Sequence, residues 1–419
     1  MAGGHRRGPD SSEEKWGHVS EPSSGRGSSS GPEPSSGPGW PEEFVMPRHG
    51  VATVAELVPA IGSHLSPGPS RQDPFELPAA SHYVLLLVDG MGEQLLDANR
   101  GLAPQLAGMD RVGTSVTCAV PSTTATSLSC LGTGAPPGRH GVMGYTFRSP
   151  VGGQIMNALS WQHGDDPRVV QAHPTAFEDL VSAGVAVTSV GPERFERSGL
   201  TRASLRGPAF LGVRDENDID WRVDLVRQAL DHDGPSLCYL YERSLDHVGH
   251  GQGCQSPAWQ RRLSWVDEMV QALSEELDAD TVVIVTADHG MIDIPQDRRI
   301  VVEDVPDMMT GVDAIAGEPR FRSLYTRHPR EVARRWSALL GDRGWVITGD
   351  QAIEAGLFGR WDPALRPRLG DVLVAMRRDW AVMTRTVAQE MRLIGMHGSL
   401  TPAEMTIPVR WLRVGSPAW

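Results

Sequence analysis

Four short stretches of the chain are apolar almost without a break, and each gives way to a glycine or an acid. They are HYVLLLVDG (82–90), GVAVTSVG (184–191), SLCYLYE (236–242) and TVVIVTA (281–287). None shows the in–out alternation of a sheet with one wet face, so the pattern predicts strands buried on both sides, as in a parallel sheet. Helical periodicity lies between them, in GEQLLDANRGLAPQL after the first strand, TAFEDLVSAG before the second and SPAWQRRLSWVDEMVQALSEEL before the fourth. Alternating strands and helices predict an α/β fold, a three-layer α/β/α sandwich around a mostly parallel sheet.

The pattern fails at two places. Residues 1–40 are dominated by Gly, Ser, Pro and charge, too little apolar surface to offset ordering entropy, which predicts a disordered tail over 1–43. Folding is expected to begin near Phe44 or Pro47. Between 295 and 385 the apolar runs shorten and arginines multiply, as in RFRSLYTRHPREVARRWSALL and RPRLGDVLVAM. A cap-like subdomain inserted there would leave 44–294 and 386–419 as the catalytic core; a long irregular edge of the main sheet is the plainer alternative. No internal repeat stands out.

Composition narrows the class. With 419 residues and 40% hydrophobic content the chain can bury a substantial core in one large domain or two. Its formal charge is 39 − 52 = −13, which argues against a nucleic-acid backbone as partner, since such binding needs concentrated Lys and Arg. No apolar run reaches about eighteen residues, so no membrane span is expected. The N-terminus lacks the apolar stretch of a secretory signal. Cys118, Cys130, Cys238 and Cys254 show no CxxC spacing, which reads as reduced packing residues of a cytoplasmic protein rather than a zinc–thiolate site.

The candidate chemistry sits where strands end. Asp89 closes the first strand ahead of Gly90 and Gly92; Asp288 and His289 close the fourth ahead of Gly290. In open α/β sheets the carboxyl ends of strands are where ligands bind, although a lone Asp there is an ordinary turn former. Asp246 and His250 in YERSLDHVGHG would share a face on a helical turn, and a tight glycine loop could converge them equally; a solvated polar loop is the bland reading. His247 has the wrong phase. His397 stands in GMHG, where a lone histidine is more often structural. The hydroxyl-rich segment 120–145 predicts a helix from just after Thr124, whose N-terminus would favour a phosphate oxygen, with Ser122 and Thr123 as caps or turn formers. Three Asp and three His, nearly all at strand ends before glycine, form a set of O and N donors that suits zinc. A cation pair leaves positions open and can clamp both the attacking and the leaving oxygen at phosphorus.

The ordered motifs D-G, P-x-x-T-x-T-S-x-x-x-x-G-T-G-x-x-P-x-x-H-G, D-x-x-G-H, A-D-H-G-M and a late H-G resemble the alkaline phosphatase superfamily, and within it the type I phosphodiesterase/nucleotide pyrophosphatase family, over roughly residues 80–400. The resemblance implies two zinc ions, one held by Asp246, His250 and His397, the other by Asp89, Asp288 and His289 with the Thr124 oxygen. Counting back from Thr133–Gly134 and His140–Gly141 places the family's nucleophile at Thr124 rather than Thr123. It further implies cleavage of phosphodiester or pyrophosphate bonds in a small-molecule substrate through a phosphothreonine.

Two departures bear on substrate. Where nucleotide-hydrolysing relatives commonly carry an Asn past the H-G, this chain has Tyr145, and no arginine stands beside Thr124 to grip a monoester dianion. CAVPS also lacks the arginine of the sulfatase pattern. A phosphonate or phosphomonoester hydrolase with the same metals is the alternative enzyme, and a non-catalytic binding protein on the same fold is the alternative outside enzymes. Arg320 and Arg322 are expected either to face a substrate anion or to be solvated surface charges.

Overall fold

The computed structural model describes residues 40–66 and 72–415. Its central sheet is built from β1 (His82–Val88), β2 (Ala186–Pro192), β3 (Ala209–Val213), β4 (Ser236–Glu242) and β5 (Thr281–Thr286). These five run parallel in the order β5-β1-β4-β2-β3. Every residue of β5 and six of the seven in β1 are buried, so both sheet faces are covered, as their unbroken apolar runs require. Each fully buried leucine there contributes about 2 kcal/mol relative to exposure. Four of the five strands match the sequence reading. The fifth, β3, was not anticipated, because it is a half-exposed edge strand with little apolar signal.

Helices cover the sheet. One set comprises α1 (Thr124–Thr133) and Ala176–Ser182; another comprises Ile219–Leu230, α2 (Ser244–Gln252) and α3 (Pro257–Glu276). The sequence GEQLLDANRGLAPQL is three short pieces rather than one helix: Glu93–Ala98, a 3-10 turn Arg100–Leu102, and Pro104–Gly108. Asn99 closes the first by donating from Nδ2 to the Leu95 carbonyl (2.8 Å), and Pro104, which has no N–H to continue a helix, opens the last. Among the described residues no helix is long and apolar enough to cross a membrane.

Within 295–385 a second sheet forms: β6 (Ala314–Glu318), β7 (Phe321–Tyr325), β8 (Gly344–Thr348) and β9 (Val372–Met376), antiparallel in the order β6-β7-β9-β8. The helix Pro329–Leu340 packs Val332, Trp336 and Leu340 onto it, around Leu324, Val372 and Val374. The chain then returns to the main sheet as β10 (Val409–Arg413), antiparallel to β5.

Arg320 and Arg322, on the β6–β7 hairpin and β7, are not solvated, and neither guanidinium is free for a substrate anion. Both are fully buried and paired: Arg320 with Glu404 (Nε–Oε1 3.0 Å, Nη2–Oε2 2.6 Å) and Arg322 with Glu390 (Nη1–Oε1 3.0 Å). The forked guanidinium satisfies both oxygens of each carboxylate, which is what makes such a pair tolerable in the interior. The tail expected over 1–43 lies, up to residue 39, outside the described residues. Glu43 pairs with Arg377 (2.5 Å), and Phe44 is buried edge-on against Trp345 (6.3 Å).

Candidate active site

Register brings the strand-end groups together. Val88 of β1 is level with Glu242 of β4, and Leu87 is level with Thr286 of β5, so the three strands finish on one edge. Asp89 follows β1 there, Asp288 and His289 follow β5, and Asp246 and His250 stand on α2, which begins two residues after β4. His397 arrives from far along the chain because Met396 pairs with Ile292, just past His289. Gly90 makes the crossing possible: its φ of +74° is left-handed, and a Cβ there would lie 3.0 Å from the Asp246 Cβ.

The six side chains form two groups of three. Donor atoms of Asp89, Asp288 and His289 lie within 4.8 Å of one another, as do those of Asp246, His250 and His397. All three histidines are held the same way. Nδ1 of His250 faces the Gly395 carbonyl (2.8 Å), that of His289 the Gly290 carbonyl (3.0 Å), and that of His397 the Ser122 carbonyl (2.8 Å). A carbonyl only accepts, so each Nδ1 carries the proton and each Nε2 turns a lone pair into the site. The rings of His289 and His397 stack with centroids 3.7 Å apart.

This arrangement is incomplete as a set of protein groups. Nε2 of His250 and Nε2 of His397 are 3.3 Å apart, two lone pairs facing each other. Asp246 Oδ1 and Asp288 Oδ2, one from each group, are buried without a hydrogen-bond partner. Burial first, then the charges of Asp288 and Asp246, lifts the Asp89 carboxyl well above its usual range, against the opposing bond from the Tyr241 hydroxyl (2.5 Å). Burial likewise raises Asp288, and burial followed by the neighbouring His289 and His250 pushes His397 well below the usual imidazole value. A divalent cation in each group would relieve all of these at once, so the donor sets fit the metals that the sequence implies.

Thr124 opens α1 beside the first group. Its Oγ1 is 3.1 Å from His289 Nε2 and 3.5 Å from Asp89 Oδ1. Thr123 is the N-cap residue, but its side chain makes no capping bond; Ser122 instead donates to the Ser399 carbonyl (2.7 Å), so neither hydroxyl caps the helix. In front lies a cavity of about 400 Å³ that also holds Tyr145 and has an apolar wall of Leu128, Leu200, Leu205 and Phe210. Arg243 reaches it but is bonded to Glu216 (2.8 Å). His247 lines the cavity at its exposed side, outside both groups.

Two residues here escaped the sequence reading. Tyr241 was counted as strand core, and only the strand's level with Asp89 could have flagged it. Glu318, from the β6–β7 hairpin, is buried in the cavity wall beside Thr123, with its carboxyl raised to about 8 chiefly by burial. Nothing in AGEPRFR marks it.

Comparison with known proteins gives the family and the fold. The model of the type I phosphodiesterase / nucleotide pyrophosphatase family matches residues 83–400. The human GPI ethanolamine phosphate transferase 3 catalytic subunit is 29% identical over 118 residues, 27% of this chain and 11% of that protein; the chain therefore spans only about a tenth of that relative's length. An uncharacterized pyrophosphatase/phosphodiesterase of Schizosaccharomyces pombe is 25% identical over 351 residues, 76% of this chain and 68% of that one. Among solved structures, murine ectonucleotide pyrophosphatase/phosphodiesterase 5 superposes with a TM-score of 0.64 at 18% identity, covering 78% of this chain and 87% of that one. An inactive threonine-to-alanine variant of that protein in complex with AMP gives 0.63 at 17% identity over the same shares. With the family model matched across well over half of its length, this chain belongs to the type I phosphodiesterase/nucleotide pyrophosphatase family.

Proposed function

We propose that the protein is a metal-dependent hydrolase of phosphodiester or pyrophosphate bonds in small molecules, acting through a phosphothreonine at Thr124. Asp89, Asp288 and His289, with Thr124 Oγ1, would hold one divalent cation, and Asp246, His250 and His397 a second. The observation that carries this reading is the pair of donor groups beside the start of α1, each with a buried carboxylate oxygen that lacks a partner. Six oxygen and nitrogen donors suit zinc. Such a cation pair, when bound, supplies Lewis acidity, lowering the proton affinity of the attacking oxygen and neutralising phosphoryl charge.

The chain's own groups do the rest. Thr124 presents Oγ1 for in-line attack on phosphorus; its bond to phosphorus forms as the bond to the leaving oxygen breaks on the side of Asp246, His250 and His397. The first N–H groups of α1, with the positive end of the helix dipole, hold a phosphoryl oxygen as charge builds. Water then attacks phosphorus from the vacated side, the Thr124 Oγ1–phosphorus bond breaks, and the hydroxyl is restored. The organic part of the substrate lies against Leu128, Leu200, Leu205 and Phe210.

The AMP held by the inactive variant of murine ectonucleotide pyrophosphatase/phosphodiesterase 5 supports a phosphate ester here. Arg243, already occupied by Glu216, offers no free guanidinium for a monoester dianion, which favours diesters and anhydrides. Four buried, unpaired cysteines support the reducing, cytoplasmic setting expected from the sequence. The test is hydrolysis of bis-p-nitrophenyl phosphate by wild type and Thr124→Ala. The variant should lose at least about a thousandfold in kcat while keeping its zinc content by elemental analysis. Turnover by Thr124→Ala, or wild-type activity untouched by exhaustive chelation, would refute the reading.

A further inference from the structure

Thr123 has the backbone of a helix N-cap, φ −144° and ψ 146°, yet its side chain gives α1 no capping bond. Threonine is a favoured cap, so a hydroxyl in that position ordinarily turns back to the free N–H groups of the first turn. It lies instead in the cavity wall beside the Glu318 carboxyl, whose ionised form it favours. Glu318 is 4% exposed and shares the cavity wall with Thr123 and Thr124. Its position is built for: the backbone at Gly398 runs so close that a Cβ would lie 2.6 Å from the Glu318 Cγ, and φ there is +130°. Arg320 and Arg322, next on the same hairpin, are committed to Glu404 and Glu390, leaving Glu318 without a guanidinium. The neutral His397 ring, with Nδ1 3.9 Å from Glu318, already donates to the Ser122 carbonyl. Glu318 Oε1 is buried and makes no hydrogen bond.

We propose that Glu318 is a positioning residue for phosphoryl transfer, drawing the Thr123 hydroxyl away from α1 so that the first N–H groups of the helix stay open to a phosphoryl oxygen. The inference rests on the proposed reaction at Thr124. A carboxyl delivered by the 295–385 segment thereby keeps the helix end uncapped, and the second sheet takes part in setting up the site. Without Glu318, Thr123 turns back onto the helix and competes with the substrate for the same donors.

The test compares Glu318→Ala, Glu318→Gln, Thr123→Val and the double variant Thr123→Val/Glu318→Ala. Hydrolysis of bis-p-nitrophenyl phosphate and competitive binding of inorganic phosphate are measured, with thermal unfolding as the control for folding. Losing one oxyanion donor costs about 10²–10³ in kcat, so Glu318→Ala, where donors are partly blocked, should lose at least about tenfold in kcat and in phosphate affinity. Glu318→Gln, whose amide oxygen still accepts from Thr123, should stay within about threefold of wild type by the same reasoning. The double variant should return to within about threefold of Thr123→Val, because the competing hydroxyl is gone. A merely structural role for Glu318 gives no such rescue. The proposal falls if the double variant remains as impaired as Glu318→Ala, or if Glu318→Gln binds phosphate as weakly as the alanine variant. Activity in Thr124→Ala would instead overturn the reaction itself, so the two failures read differently.

Discussion

Replacing Asp288 by Asn should stabilise the metal-stripped protein and weaken its response to metal, two effects of opposite sign from one atom. Donor atoms of Asp89 and Asp288 lie within 4.8 Å of each other in the interior. Two ionised carboxylates at that distance repel by about 3.5 kcal/mol at an effective dielectric constant of ~20. The stripped protein avoids this by retaining a proton: burial first, and neighbouring carboxylates after it, raise both carboxyls above the ordinary value of 3.8. The sign follows. Above the unfolded value the native site holds a proton that the unfolded chain has released, so stability is lost as pH rises through the raised native value. Asp288→Asn keeps an oxygen for the Gly90 N–H (3.1 Å) and removes the second charge. With about 370 described residues, relief of about 3.5 kcal/mol raises the melting temperature by about 4–5 °C at pH 8 in chelator, and by much less at pH 5. Added zinc should do the reverse: at a thousand times its Kd it stabilises wild type by about 4 kcal/mol, and the variant by clearly less. Thermal unfolding at both pH values, in chelator and across a zinc titration, reads all of this. A variant that melts below wild type in chelator at pH 8, or that shifts equally with zinc, would refute the reasoning.

Two further predictions concern groups away from the two donor sets. Arg322→Met leaves the Glu390 carboxylate buried without its partner and should cost about 3–5 kcal/mol in urea unfolding, most of it recovered by adding Glu390→Leu; no recovery would mean the pair is not the cause. His140 accepts from the Val142 N–H at Nδ1 (3.1 Å) and faces Cys130 Sγ through Nε2 (3.2 Å), so its ring is neutral, and burial lowers it to about 3. Below pH 6.5 the unfolded chain takes up a proton that the native ring refuses, so this residue removes about 2 kcal/mol of stability between pH 6.5 and pH 5. His140→Gln should flatten that slope in urea unfolding at the two pH values; an unchanged slope would assign it elsewhere.

What the sequence made legible follows from range. β1, β4 and β5 are continuously buried, so their apolar runs marked them within a residue or two, and their level ends placed Asp89, Asp288 and the Asp246 helix on one edge. Their grouping with His397 needed a pairing between Ile292 and Met396 that no local pattern reveals; resemblance supplied it. Arg320 and Arg322 were misjudged because the residues that neutralise them, Glu404 and Glu390, lie more than sixty positions away. Glu318 was invisible for the same reason, and β3 because an edge strand carries little apolar signal.

The Arg320–Glu404 pair has a consequence for engineering. Arg320 belongs to the 295–385 segment and Glu404 to the returning chain just before β10, and the side chains of both are wholly shielded from solvent. Excising that segment to make a smaller hydrolase, or grafting it onto another scaffold, would strand a bare charge on each side of the cut. A trimmed chain would need Glu404 replaced by an apolar residue in the same step before it could be expected to fold.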